Sequence, residues 1–212
     1  MSLKKGLFLA FEGGEGAGKT TVVDAIAESL ASKGLEVVKT HEPGVTGLGK
    51  EIRKLLLQTK EPLAICAKAE LLLFLASRAQ NIEEVIKPAL ARGAYVLCDR
   101  FNDSTLAYQG EARGLGIQVV KHLCDWVCED ILPDLTFFLA VDPLVGLERA
   151  RKVGAFDRIE AEKADFHSRV QKGFQKIKEN DPDHFTWIDA SQTKDRVIAD
   201  VWKIIMQFSI ET

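Results

Sequence analysis

The chain has no surplus of charge to offer a polyanionic partner. It carries 28 basic and 31 acidic residues, a formal net charge of −3. No stretch is strongly basic, and a dedicated nucleic-acid binder carries a basic face. That class recedes, and no nucleic-acid partner is expected. No apolar run approaches the roughly 20 residues that a membrane-spanning helix needs, so no membrane partner is expected either. Only Lys4 and Lys5 precede the first apolar run, Leu7–Phe11, which passes at once into a polar glycine loop. A secretory signal is therefore not expected. Cysteine is sparse, with Cys66, Cys98, Cys124 and Cys128. Cys124 and Cys128 lie four apart on an expected helix and share a face, but no nearby His or Cys pair completes a four-ligand metal site. Reduced, partly buried thiols and a cytoplasmic location fit better. No low-complexity linker and no internal repeat interrupts the chain.

What remains is an ordinary globular composition of 46% hydrophobic and 28% charged residues over 212 positions. The length predicts one domain across residues 1–212 with a small mobile insert. Such a domain buries roughly 70% of its unfolded-chain surface.

One stretch is denser in meaning than any other. Phe8-Leu9-Ala10-Phe11-Glu12 reads as a buried strand and runs into Gly13-Gly14-Glu15-Gly16-Ala17-Gly18-Lys19-Thr20. A helical pattern follows, with Val22, Val23, Ile26, Ala27 and Leu30 on one face. Strand, G-x-x-x-x-G-K-T loop and helix together form the context that identifies a P-loop. Its glycines let backbone N–H groups curl around a phosphate chain, and the helix start adds partial positive charge. Lys19 is expected to reach the β- and γ-phosphates and the Thr20 hydroxyl to bind Mg²⁺. The motif predicts nucleoside triphosphate binding without choosing among kinase, GTPase and motor.

Strand and helix patterns alternate from end to end. Strands are expected at Leu7–Glu12, Glu36–Thr40, Ala94–Cys98, Leu135–Val141 and Phe185–Ile188. Helices are expected at Thr20–Lys33, Leu48–Leu57, Lys68–Ile86, Gln118–Val127, Leu144–Lys152, Lys163–Glu179 and Thr193–Phe208, with Gly34 ending the first. This alternation predicts an α/β fold of the P-loop NTPase type. It has a five-stranded parallel sheet, helices on both faces and a short lid.

Ligands of such sheets sit at the carboxyl ends of strands. That rule singles out Glu12–Thr20, Glu42–Thr46, Asp99-Arg100 and the loop after the fourth or fifth strand, the first three of which carry charge or glycine. Asp99-Arg100 follows the third strand, where aspartate suits a metal or its water shell and arginine suits phosphates. A surface ion pair is the plainer alternative. Glu42-Pro43-Gly44 follows the second strand, with Arg53 on the next helix and Arg78 at the end of a long apolar stripe. Phe101–Gly110 is rich in hydrogen-bonding groups, has two aromatics and suits a base and sugar, and an N-capped short helix with Asp103 or Ser104 as cap is a compatible reading. Late in the chain Arg149, Arg151 and Arg158 bracket Val153–Asp157. A lid over residues 149–160, closing to exclude water and deliver an arginine, is the expectation there.

These segments together resemble the bacterial thymidylate kinases along essentially the whole chain. The matching pieces are Phe11–Thr21, Glu42-Pro43-Gly44, Arg53–Leu56, Leu73–Arg78, Asp99-Arg100-Phe101, Ser104–Gly110 and Phe156–Glu160. The resemblance implies an ATP:dTMP phosphotransferase of dTTP biosynthesis that uses Mg²⁺ held by Thr20 and Asp99. It implies dTMP held by Glu42, Pro43, Arg53, Phe74, Arg78, Arg100, Ser104, Tyr108 and Gln109. Phe74 would stack on thymine, Arg78 would meet its carbonyl edge, and Tyr108 would crowd the sugar 2′ position. Lys19, Glu15, Asp99 and Arg100 would be catalytic. With Ala17 in the P-loop and no arginine there, the catalytic arginine is expected from the lid, with Arg149, Arg151 and Arg158 as candidates. A homodimer through the helices Leu48–Leu57 and Lys68–Gln80 is also implied. Two departures stand out. The family often has Arg-Glu-Pro-Gly-Gly-Thr where this chain has His41-Glu42-Pro43-Gly44-Val45-Thr46, and the lid is less basic. Against a GTP-binding switch stands the lack of an N-K-x-D segment after a late strand. A kinase for another small acceptor shares the P-loop but not the Phe74, Arg78, Tyr108 and Gln109 set.

Overall fold

The computed structural model describes residues 6–58, 63–154 and 157–211. Five strands, β1 (Phe8–Glu12), β2 (Val37–His41), β3 (Tyr95–Asp99), β4 (Leu135–Ala140) and β5 (Phe185–Asp189), form one sheet in the order β2-β3-β1-β4-β5. Every pairing is parallel. All five β1 residues are buried, as a strand covered on both faces requires. Leu9 and Phe11 face one layer and Phe8 and Ala10 the other, following the two-residue period of a strand.

The first layer is built by α1 (Lys19–Ser32) and the C-terminal helix α9 (Lys194–Glu211), with Val22, Ile26, Leu30, Val201 and Ile205 packed on Phe11 and Phe137. Gly34, at φ 75°, ends α1 as expected. The amides of Leu35 and Gly34 reach back to the carbonyls of Leu30 and Ala31, closing the helix in a Schellman motif that a left-handed glycine permits. The other face carries α2 (Gly47–Leu57), α3 (Ala67–Asn81), α4 (Lys87–Ala91), the short α5 (Asn102–Thr105), α6 (Ile117–Cys128), α7 (Pro143–Val153) and α8 (Ala164–Asn180). There Phe138 stacks among Phe174, Phe185 and Trp187.

Two local expectations are corrected. The long helix was expected to stop at Ile86, but the chain stays helical through a wide π turn, Ile82–Ile86, and into α4. Pro88 lacks an N–H and its ring crowds the preceding turn, and the wide turn just before it accommodates this. The short helix after β3 begins at Asn102 with Phe101 as its N-cap, and no side chain caps it. Asp103 and Ser104 have other partners. Asp103 receives His184 Nε2 at 3.0 Å, and the Ser104 hydroxyl donates to Glu12 at 2.5 Å.

The registers align the strand ends. His41 pairs with Asp99 and Phe11 with Asp99 across two neighbouring ladders. The carboxyl ends of β2, β3 and β1 therefore open onto one edge, and the segments singled out by sequence meet there.

Candidate active site

The loop after β1 is a tight backbone curl. Gly13, Gly16 and Gly18 all take positive φ, and Gly18, in the left-handed region, precedes α1 without any side-chain cap. The first-turn N–H groups of α1 are thus left for an anion. Gly16 is also a packing requirement. A Cβ there would lie 1.9 Å from the Gly146 carbonyl oxygen, and one on Gly146 would lie 2.2 Å from the Glu15 carbonyl oxygen. The loop and the first turn of α7 touch backbone to backbone, which no larger residue allows.

Lys19 is buried, and its ammonium donates to the carbonyls of Gly13 at 3.1 Å and Gly14 at 2.8 Å. Burial, joined by repulsion from Arg100, lowers its pKa below the ordinary lysine value. Thr20 Oγ1 donates to Asp99 Oδ2 at 2.6 Å. The two residues expected at the metal, distant in sequence, are therefore in contact.

Arg100 stands beside them at φ 68°. Its amide donates to the Phe11 carbonyl at 3.0 Å. Its guanidinium reaches Gly13 O at 3.0 Å, Ser104 Oγ at 3.1 Å and Glu15 Oε1 at 2.8 Å, and lies 5.1 Å from the Tyr108 ring centre. The Tyr108 hydroxyl donates to the same Glu15 oxygen at 2.6 Å. Burial pushes the Glu15 carboxyl up, but Arg100 and Lys19 outweigh it and hold it at about 2. Burial raises the Tyr108 hydroxyl well above its usual value. Glu15, Arg100 and Tyr108 are thus one unit in which a fixed carboxylate carries a permanent cation.

On the far side of the same cleft, Arg78 is 2% exposed. Its Nε donates to Glu42 Oε2 at 2.6 Å, Nη1 to Asn102 Oδ1 at 2.9 Å, and Nη2 to Thr105 Oγ1 at 2.9 Å. Nη1 also lies 3.6 Å from Cys124 Sγ. Glu42 takes its second bond from Asn81 Nδ2 at 3.0 Å. Burial raises the Glu42 carboxyl despite Arg78. Gln109 is buried and donates to Glu70 at 2.9 Å, while half-buried Phe74 lines the cleft. Arg53 donates to the Pro43 carbonyl at 2.8 Å. The Glu42–Pro43 bond is cis, and Gly44 takes φ 132° with Arg53 against the place a Cβ would fill. The positive φ falls on Gly44, and Val45 does not share it. The Val45 departure therefore leaves the loop without backbone strain.

The cleft has a volume of about 770 Å³ and is lined from the P-loop to the base side. Glu15, Lys19, Thr20, Asp99, Arg100 and Tyr108 border one part. Glu42, Pro43, Arg53, Phe74, Arg78, Ser104 and Gln109 border the rest. The lid arginines stand elsewhere. Arg149 donates to the Ala190 carbonyl at 2.9 Å, and Arg158 holds the Leu56 carbonyl at 2.6 Å and Glu70 at 2.5 Å. Arg151 is exposed on α7. Of the expected lid positions, Ala150, Gly154, Asp157, Ile159 and Glu160 line the cleft. Ala155 and Phe156, within the expected lid, lie outside the described residues.

Sequence reading singled out the stretch that holds Asn102 and Thr105 without giving either a role, and it passed over Asn81 and Glu70. Asn81, Asn102 and Thr105 complete the shell of Arg78 and Glu42, and Glu70 gathers Gln109, Arg113 and Arg158. Glu12 is fully buried at the end of β1, with its carboxyl pushed up to about 7 by burial and by Asp103. A carboxylate closing an otherwise apolar strand was the signal available for Glu12.

Comparison with known proteins converges on one family. A family model described as thymidylate kinase matches residues 11–201. A thymidylate kinase from Protochlamydia amoebophila is 48% identical over 201 residues, covering 92% of this chain and 89% of its own. One from Shouchella clausii is 42% identical over 212 residues, covering 99% of each. The crystal structure of thymidylate kinase from Ehrlichia chaffeensis superposes with a TM-score of 0.77 at 32% identity, covering 94% of this chain and 98% of that one.

Proposed function

The chain belongs to the thymidylate kinase family, and from that premise we propose how its own residues carry the reaction. The enzyme phosphorylates dTMP to dTDP with ATP as donor. The P-loop and the uncapped start of α1 receive the ATP phosphates, and Lys19 exchanges its two loop carbonyls for phosphate oxygens. Arg100, fixed by Glu15, receives the phosphate of dTMP, with Arg53 beside it at the cleft. Phe74 stacks on thymine, Tyr108 crowds the sugar 2′ position, and Gln109 lies near the base. Arg78 reads the base edge from a guanidinium already anchored to Glu42, and Ser104 steadies Arg100. The observation that carries this reading is the direct link from Arg100 to Gly13 and Glu15 of the P-loop, which sets an acceptor cation against the donor cradle.

Thr20 and Asp99 suit Mg²⁺, because their hydroxyl and carboxylate oxygens already touch at the mouth of the P-loop and hard cations select oxygen donors. A bound Mg²⁺ would neutralise charge developing on the phosphates. The residues themselves do the rest: in-line phosphoryl transfer needs positioning and a preorganised positive field more than a strong base. Residues 1–212 act as one catalytic domain, and 149–160 act as a lid. Arg149, Arg151 and Arg158 are the candidates for the cation delivered to the transferring phosphoryl group; Arg158 is held by α2 and Glu70, and Arg149 by the Ala190 carbonyl. No helix among the described residues is long and apolar enough to cross a membrane, and we place the enzyme in the cytoplasm. A fraction of the activity in washed membranes after lysis would contradict that placement. A second copy of the chain is proposed to cover the exposed apolar residues of α2, α3 and α6, and the mass in solution decides it.

Replacing Arg100 tests the reading. Arg100→Ala should lower kcat for dTMP by about a hundredfold or more, the scale of losing one preorganised charge contact. Near-normal turnover would remove its assigned role.

A further inference from the structure

Glu12 is a buried acidic group that the roles above leave unused. Its carboxylate is 0% exposed, and such a group is costly to bury unless it is well hydrogen-bonded. Here it accepts three bonds, all from the segment after β3. Phe101 N donates to Oε1 at 2.8 Å, Ser104 N to Oε1 at 3.1 Å, and Ser104 Oγ to Oε2 at 2.5 Å. Ser104 Oγ in turn accepts from Arg100 Nη1 at 3.1 Å. Arg100 therefore sits between two tethers. Its backbone is followed at once by an amide tied to Glu12, and its guanidinium rests on a hydroxyl tied to Glu12. This matters because Arg100 occupies a left-handed conformation, φ 68°, which a non-glycine residue holds only where its surroundings over-determine it.

We propose that Glu12 is a positioning residue for phosphoryl transfer: its carboxylate bolts the end of β1 to residues 101–104 and thereby holds Arg100 in place for the acceptor phosphate. The inference rests on the reading of Arg100 given above. Glu12 touches no substrate in this role. It faces Arg100, Asp103 on α5, Lys19 at the start of α1, Cys98 on β3 and His184 before β5. Of these only Arg100 and Lys19 are basic side chains at the P-loop, and only Arg100 is linked to Glu12 through a shared hydrogen-bond partner.

A double-mutant cycle on the full chain separates this inference from the reading beneath it. Glu12→Gln keeps the size but loses a charged acceptor. It should lower kcat by about tenfold or more, the scale of a misplaced catalytic group, while KM for ATP stays within about twofold. In an Arg100→Ala background the same substitution should cost less than about twofold, because the residue it positions is gone. A full, additive loss in that background overturns the proposal while leaving Arg100 its role. Normal kcat for Glu12→Gln alone also overturns it. Normal kcat for Arg100→Ala alone overturns the underlying reading instead. If Glu12→Gln does not fold, Ser104→Ala cuts the same tether at its second link and should itself lower kcat several-fold. Unchanged kcat there overturns the proposal.

Discussion

Arg100 holds a backbone conformation that costs a non-glycine residue on the order of 1–3 kcal/mol. Its amide is tied to Phe11, and its guanidinium to Gly13, Ser104 and Glu15. These bonds fix one cation at one point beside the P-loop. Tyr108 shares that point, with its hydroxyl on Glu15 and its ring against the arginine. The two parts of its side chain therefore have separable effects. Tyr108→Phe keeps the ring and should preserve most of the preference for dTMP over the ribonucleotide acceptor. Tyr108→Ala empties the volume and should relax that preference. Measured kcat/KM for both acceptors checks this, and unchanged discrimination in the alanine variant would sink the steric role. At this scale the sequence revealed Asp99-Arg100, because two adjacent charges end an apolar strand. It did not reveal that Arg78 is bound to Glu42, a partner 36 residues away, because that pair exists only once α3 packs against the loop after β2. The same holds for Glu12, whose partners lie 89 and 92 residues on.

Helices and strands were legible where their period was clear. The buried apolar run of β1 and the apolar stripe of α1 sit as expected. The two π segments, Ile82–Ile86 and Leu106–Ala112, were not, since a single wide turn leaves almost no mark on helical periodicity. The contact of α7 with the P-loop was hidden for another reason: Gly146 reads as a weak point in a helix until its neighbour is Gly16. The exposed faces of the helices carry their own expectation. Leu48 on α2, Leu72 on α3 and Trp126 on α6 are 50%, 59% and 78% exposed, and exposed apolar surface marks association where it forms a continuous patch. Light scattering on the purified enzyme should give twice the 23.4 kDa chain mass. A monomer mass across the micromolar range would refute the dimer.

At the scale of the molecule, the strand order β2-β3-β1-β4-β5 does the assembling. It sets β1, which leads into the P-loop, directly beside β3, which ends at Asp99-Arg100. The P-loop and Arg100, the proposed donor cradle and acceptor cation, become neighbours through the sheet itself, at the point where the order of connection reverses and α/β sheets bind their ligands. The alternation of elements announced such a sheet. The order of its strands was not legible, because nothing local in a strand names its neighbour. The most direct measurement is ADP release by the wild-type enzyme with ATP and Mg²⁺ against dTMP, dUMP, UMP, dCMP, AMP, GMP and thymidine. The account predicts strong turnover with dTMP and weak turnover with UMP. Preference for a different acceptor would leave the P-loop standing and contradict the roles assigned to Phe74, Arg78, Arg100 and Tyr108.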